Sequence, residues 1–190
     1  PRAGWRESAD PAAGGGVLLD LGSHLVDQAL LLLGPATHVY AELDRRRPGV
    51  AVEDDAFVAL THASGARSHL WMGAVAAQGG ARWRALGSRG AWVKHGLDPQ
   101  EGELRAGGAR ADRAGWGREP PEAWGTLGTD EVPRRVTTEP GAWPRFYSEL
   151  ARAVREGAPM PVDPADAVAT LAVLDAARRS AAERRVVASG

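Results

Sequence analysis

The spacing of apolar residues changes from helical to alternating within the first half of the chain. Between residues 16 and 33, leucines and valines recur every three or four positions, which predicts a helix that ends before Gly34-Pro35. Beyond this helix, apolar and polar residues alternate in several short stretches bounded by Gly, Ser and Pro. This alternation predicts antiparallel strands at 37–43, 54–62, 67–76, 81–86 and 91–94.

The second half is divided between irregular and helical patterns. Residues 96–141 are rich in Gly, Pro and Trp, which indicates a long functional or contact-forming loop, with a possible strand at 134–138. Trp116 and Trp124 could stack on a sugar ring or a neighbouring subunit, or fold back over their own core. Helical spacing then predicts two helices at 143–156 and from Asp163 to about residue 185, followed by a short strand at 186–187.

This order of elements predicts a single α+β domain over residues 1–190. Sequential strands joined by tight turns form an open, mainly antiparallel sheet, and the helices pack on one of its faces. Residues 1–13 form a polar lead-in. The other sheet face would remain bare, so it is available for oligomerisation.

Composition excludes several classes of function. The chain has 190 residues, 44% hydrophobic and 25% charged, as in soluble globular proteins. Its net charge of −1 gives no indication of nucleic acid or an anionic membrane as partner. Without cysteine it has no disulfide, thiolate metal site or cysteine nucleophile. No signal pattern or membrane-length apolar run is present, so we expect a cytoplasmic protein.

The first predicted helix carries the strongest candidate site. Asp20, His24 and Asp27 are separated by four and three residues, so they lie on one helix face behind the glycines at 14–16. One interpretation is an Asp20–His24 pair that closes the core, and the other is a general base oriented by a carboxylate. Two such ligands without a third nearby do not favour a metal site.

Two further features of the sequence concern phosphate and dinucleotide binding. Three arginines at 45–47 could bind a phosphate, although a solvated strand end is the more frequent role of such a run. No Gly-x-Gly-x-x-Gly lies between a strand and a helix, so the chain lacks the fingerprint of dinucleotide binding.

Three segments together resemble one known family. Gly15-Gly16-x-x-x-Asp20-x-Gly22-x-His24-x-x-Asp27 is similar to the signature in the substrate domain of the glucose–fructose oxidoreductase, inositol dehydrogenase and rhizopine catabolism (Gfo/Idh/MocA) family. The segments 87–101 and 161–167 resemble later parts of the same domain. The similarity covers nearly the whole chain.

The resemblance implies a two-domain enzyme of which this chain is one part. In the family, an N-terminal Rossmann domain binds NAD or NADP, and a C-terminal α+β domain contacts a sugar or polyol substrate. Only the second is present here, so the isolated chain is expected to be inactive. The lysine of the family's Glu-Lys-Pro motif is also absent, and Lys94, the only lysine, is not its counterpart. The expected assembly is a homodimer or tetramer through the open sheet face.

The resemblance also assigns roles within the candidate site. His24 matches the histidine that donates or accepts the proton when a hydroxyl and a carbonyl are interconverted. Asp20 matches the acid that orients this histidine and contacts substrate hydroxyls, whereas Asp27 is interpreted as structural. The alternative is a non-catalytic module for sugar binding or dimerisation, which would have no need of the Asp20–His24 pair.

Overall fold

A computed structural model describes residues 4–10, 13–107 and 115–190 of the chain. Its helices are α1 (Val17–Asp20), α2 (Gly22–Leu33), α3 (Pro99–Arg105), α4 (Trp143–Glu156) and α5 (Pro164–Glu183). Its strands are β1 (Ala36–Asp44), β2 (Asp55–His62), β3 (Arg67–Gly73), β4 (Trp83–Gly87), β5 (Gly90–Lys94), β6 (Gly125–Gly128), β7 (Pro133–Val136) and β8 (Val187–Ala188). Short 3₁₀ turns span Trp5–Glu7 and Pro121–Ala123.

The chain divides into two compact units. Unit 1 combines residues 1–77 with residues 162–190, and unit 2 comprises residues 78–161. Unit 1 holds a four-stranded antiparallel sheet in the order β3-β2-β1-β8, together with α1, α2 and α5. Unit 2 holds a second antiparallel sheet in the order β4-β5-β6-β7, together with α3 and α4.

The hydrophobic core lies in unit 1, between one face of its sheet and the helices. Along β2, Ala56, Val58 and Leu60 are buried, and they alternate with less buried residues, as expected for a strand covered on one side. Leu174 of α5 and Val26 of α2 pack into the same cluster and are fully buried. The helices therefore cover one sheet face.

The opposite face of this sheet carries a group of aromatic side chains. Phe57 lies beside Trp71 across the β2–β3 pair, with ring centroids 4.9 Å apart, and His69 contacts both rings. Trp71 is 69% exposed. In unit 1, the sheet is therefore apolar on its helix-covered face and partly aromatic on its exposed face.

Unit 2 is organised by buried polar residues. Lys94, at the end of β5, donates to Glu119 at 2.9 Å and to the carbonyl oxygens of His95 and Ala123. Gln100 is fully buried, and its side-chain oxygen accepts from the Trp116 indole at 2.7 Å. Among the described residues of this unit, these polar contacts are buried, whereas the buried apolar cluster belongs to unit 1.

The structure confirms the α+β class and the antiparallel pairing, with differences in detail. The strands are distributed over two sheets rather than one. The predicted helix over 16–33 is divided at Leu21 into α1 and α2. The predicted loop over 96–141 contains α3, β6 and β7, while its residues 108–114 lie outside the described part, as do residues 1–3, 11 and 12 of the lead-in.

Side-chain contacts decide between the alternative roles predicted for the loop tryptophans and for the arginine run. The indoles of Trp116 and Trp124 donate to Gln100 and to the Glu119 carbonyl, so both rings fold back on their own unit. The arginine run at 45–47 is engaged within the protein, because Arg46 pairs with Asp44 and Asp55. These observations favour structural roles for both motifs.

Candidate functional site

The glycines before α1 allow two chain segments to approach the start of the helix. A side chain on Gly16, whose φ is 96°, would collide with the carboxylate of Glu53. A side chain on Gly15 would collide with backbone carbonyls of the Trp5–Glu7 turn and of Ser8. The backbone amide of Val17 donates to the Glu53 carbonyl at 3.1 Å, which ties the helix start to the chain just before β2.

The division of the helix at Leu21 preserves the face that carries Asp20 and His24. Leu21 keeps a helical backbone, its amide donates to the Val17 carbonyl at 2.9 Å, and its carbonyl accepts from Leu25 at 3.2 Å. The chain therefore continues in the same direction from α1 into α2. The four-residue offset still places the two polar side chains one turn apart.

Gly22, the glycine between these two residues, lies at a tightly packed position. A Cβ at this buried position would lie 3.0 Å from Met72 Sδ of β3 and 3.3 Å from Leu174 Cδ2 of α5. The helix therefore packs closely against the sheet and α5 at this point, and a Cβ would force the Met72 and Leu174 side chains to move by a few tenths of an ångström. This contact holds the buried side of the helix against the core, whereas His24 is exposed.

Asp20 forms its ion pair with Arg6 rather than with a neighbour on its own helix. Arg6 Nε donates to Asp20 Oδ2 at 2.7 Å, and the Asp20 side chain is 23% exposed. Within the part of the chain that the structure describes, no hydrogen bond joins Asp20 to His24. The orientation of His24 by Asp20 therefore remains a prediction. Asp27 is exposed, and no ion pair connects it to another described residue.

A chain of charged groups holds the turn that carries Arg6. Arg47 donates through Nη2 to Glu7 at 3.1 Å and through Nε to the buried carboxylate of Asp54 at 2.8 Å. The backbone amide of Arg46 donates to Asp54 at 2.6 Å, and this bond, with those from Arg47, lowers the pKa of Asp54 to about 2. Asp54 is therefore a permanent anion at neutral pH.

Sequence reasoning missed Arg6 because it lies in the polar lead-in, outside any periodic segment. The only available signal was indirect. Asp20 lies on an apolar helix, and a partly buried carboxylate there requires a partner. The candidate partner on the same helix was His24, and the sequence gives no distance between Asp20 and a residue fourteen positions earlier.

Two features bear on phosphate and metal binding by the described residues. Among them, no strand precedes the glycine-rich helix start, and this helix start faces the Glu53 carboxylate, a group that disfavours a phosphate there. Among residues 4–10, 13–107 and 115–190, no three His, Asp or Glu side chains cluster in a way that could hold a metal ion. None of the helices in these ranges has the length and apolar character needed to cross a membrane.

Comparison with known proteins identifies relatives along the entire chain. The sequence is 31% identical over 190 residues to scyllo-inositol 2-dehydrogenase (NADP(+)) IolW of Bacillus subtilis, covering 98% of this chain and 52% of that protein. It is 34% identical over 182 residues to the uncharacterized oxidoreductase YdgJ of Escherichia coli, covering 95% and 51% respectively. The chain thus spans about half the length of these curated relatives.

A solved structure and a family profile agree with these relationships. The structure of yvaA from Bacillus subtilis superposes with a TM-score of 0.88 at 29% identity, over 99% of this chain and 54% of that one. The profile described as "Oxidoreductase family, C-terminal alpha/beta domain" matches residues 1–188, which include both units. The chain therefore belongs to the Gfo/Idh/MocA oxidoreductase family, as its C-terminal alpha/beta domain.

Proposed function

We propose that this chain is the substrate-binding domain of an oxidoreductase that interconverts a hydroxyl and a carbonyl group on a sugar or polyol. The observation that carries the proposal is the placement of Asp20 and His24 one turn apart on a helix that Gly22 fixes against the core. Membership of an oxidoreductase family and similarity to a scyllo-inositol dehydrogenase support it. IolW, by its name, also suggests the substrate class to test first.

His24 is the proton donor or acceptor in this proposal. When a substrate alcohol is oxidised, its O–H proton passes to an imidazole nitrogen of His24, and the reverse transfer protonates the oxygen when a carbonyl is reduced. Imidazole suits this role because it titrates near neutral pH. Asp20 accepts a hydrogen bond from a substrate hydroxyl and helps to orient the imidazole.

The hydride must be exchanged with NAD or NADP, and among the described residues no Gly-x-Gly-x-x-Gly lies between a strand and a helix to bind such a cofactor. We propose that a Rossmann domain on the N-terminal side supplies the cofactor site, since the relatives are about twice as long as this chain. The isolated chain is then inactive. Its own contribution is restricted to holding the substrate and moving the proton.

We further propose that the exposed sheet face of unit 1 forms a homodimer or tetramer. Phe57, His69 and Trp71 lie together on this face, and aromatic residues are enriched at the centres of protein interfaces. Charged side chains lie next to this aromatic group. Glu42, Asp44 and Arg46 line a hollow beside Trp71.

The test is substitution of the two site residues in the full-length natural protein, with scyllo-inositol and NADP+ as the first substrate and cofactor. We expect His24→Asn to lower kcat by about 10²–10⁴-fold, the usual contribution of a general acid or base. Asp20→Asn should also reduce turnover. Asp27→Asn, on the same helix and exposed, is the matched control and should retain activity.

The alternative, a non-catalytic sugar-binding or dimerisation module, makes the opposite prediction. Under it, the natural protein lacks turnover with any polyol or sugar and either cofactor, while binding or self-association persists. Full activity of the His24→Asn variant would also refute the assignment of the proton to this residue. The intact mass of the natural polypeptide distinguishes the two cases independently, because an added Rossmann domain would roughly double it.

A further inference from the structure

We propose that Arg6 is a positioning residue for Asp20, which rests on the function proposed above. In this proposal, Arg6 Nε holds Asp20 Oδ2 and thereby fixes the rotation of the carboxylate. Oδ1 is then directed to the substrate hydroxyl. The Trp5–Glu7 turn, none of whose residues belongs to the hydrophobic core, then has a functional reason for its position.

The backbone of the turn is attached to the start of the site helix. The amide of Gly16 donates to the Arg6 carbonyl at 2.9 Å. The absent side chain of Gly15 lets the turn approach this closely. The α-carbon of Arg6 is therefore fixed relative to α1, the helix that ends at Asp20.

The turn has a second attachment one residue later. Glu7 accepts from Arg47, and Arg47 in turn binds Asp54, which is 1% exposed. Two backbone amides also donate to Asp54. The contacts from Glu7 through Arg47 therefore end at a buried and fixed carboxylate. The backbone of Arg6 and the side chain of Glu7 are thus both attached to other parts of unit 1, which is more than a solvent-exposed lead-in requires.

The guanidinium of Arg6 is also oriented by its neighbour. Its Cζ lies 4.5 Å from the centroid of the Trp5 ring, a distance at which a cation and an aromatic face attract each other. The ion pair uses Nε, so the two Nη groups, with four of the five N–H donors, are not needed for it. The Arg6 side chain is 61% exposed and that of Asp20 is 23% exposed, so this pair contributes little to stability, which favours orientation as its role.

The experiment is a double-mutant cycle in the full-length natural protein. Arg6→Met, Asp20→Asn and the double variant are compared with the unaltered protein for kcat and KM with scyllo-inositol and NADP+. We expect Arg6→Met to lower kcat by about 10–100-fold, because small misplacement of a positioning group has effects of this size. In the Asp20→Asn background the same change should alter kcat by less than about twofold, because the carboxylate it positions is gone.

The control is Arg145→Met, since Arg145 also donates through Nε to a carboxylate, Glu149, at 2.6 Å on an exposed surface. It should leave kcat unchanged. Arg6→Lys keeps the charge without the fixed geometry of the guanidinium, so its kcat should lie between those of Arg6→Met and the unaltered protein. It replaces Arg6→Met in the cycle if the methionine variant does not fold. A crystal structure of either variant should show the Asp20 carboxylate rotated.

Each remaining outcome has a distinct meaning. Equal loss of kcat from the Arg6 substitution in both backgrounds would show that Arg6 does not act through Asp20, and would overturn this inference alone. Full activity of Asp20→Asn would overturn both the inference and the role proposed for Asp20. An unchanged Asp20 conformation in the variant crystal would likewise contradict a positioning role.

Discussion

Ser180 connects the C-terminal helix to the middle of the sheet, and its replacement by alanine is predicted to destabilise unit 1. The hydroxyl of this fully buried residue donates to the Arg185 carbonyl at 2.6 Å and accepts from the backbone amide of Ala41 at 3.0 Å. Strand β8 pairs with β1 only at His38 and Val39. The Ala41 amide therefore lies past the end of β8 and depends on Ser180 for its acceptor.

The magnitude follows from the group left without a partner. A buried amide that loses its acceptor costs about 1–3 kcal/mol. The Arg185 carbonyl belongs to an exposed residue, so water can replace the hydroxyl there. Alanine is a better helix former than serine by about 0.5 kcal/mol, which offsets part of the loss. The net expectation is about 1.5 kcal/mol, or a lowering of the thermal midpoint by roughly 3–6 °C for a chain of this size.

Two measurements test this prediction. Thermal unfolding gives the midpoint, and hydrogen exchange of the Ala41 amide reports the specific bond, which should exchange faster in Ser180→Ala. Ser148→Ala is the matched control, because Ser148 is also a helical serine but is exposed and bonds only the carbonyl of Arg145. An unchanged midpoint together with unchanged Ala41 exchange would refute the reasoning.

Three further predictions concern charge and the exposed sheet face. Because the folded-state pKa of Asp54 is lowered to about 2, from about 3.9 in the unfolded chain, its ionised form stabilises the fold above pH 4, and this stabilisation is lost as the pH falls towards 2. As the pH is lowered from 6 to 3, the thermal midpoint of Asp54→Asn should therefore fall less steeply than that of the unaltered protein. Equal dependence of the two midpoints on pH would contradict this. Lys94→Met leaves the carboxylate of Glu119, 6% exposed, without its cation and should cost about 3–5 kcal/mol in denaturant unfolding. Adding Glu119→Leu should recover part of that loss, and no recovery would be inconsistent with the buried pair as the cause. Trp71→Glu should dissociate the proposed oligomer in sedimentation experiments on the full-length protein. Val154→Glu, at a similarly exposed position on α4, should not. An unchanged mass for Trp71→Glu would exclude this face as the interface.

The periodic segments of the chain were predictable because their spacing reflects burial directly. Residues 54–62 alternate in sequence, and β2 alternates in burial from Ala56 to Leu60. The helix predicted at 143–156 matches α4, which ends at the left-handed backbone of Gly157. These features depend only on local sequence and on which face of an element is buried. The spacing of apolar residues reports both.

The remaining features depend on contacts that periodicity does not encode. Helix α3 has glycine in its middle and one leucine, and it begins where the Asp98 side chain accepts from the Gln100 amide. The separation of the strands into two sheets depends on where pairing stops after β3. At the site, the helical offset of Asp20 and His24 was predictable, whereas the ion pair of Asp20 with Arg6 required the fold of the lead-in.

Unit 1 is discontinuous along the chain, and this has a consequence for its synthesis. Strand β8 and helix α5, which complete the sheet edge and the core, come from the last 29 residues, whereas unit 2 is one uninterrupted segment. On the ribosome, β1 to β3 must wait for residues 162–190, with an open edge at β1 and an apolar face that α5 does not yet cover. Unit 2 is fully synthesised in the meantime. Ribosome-bound chains that end before residue 162 should therefore be the species most dependent on chaperones.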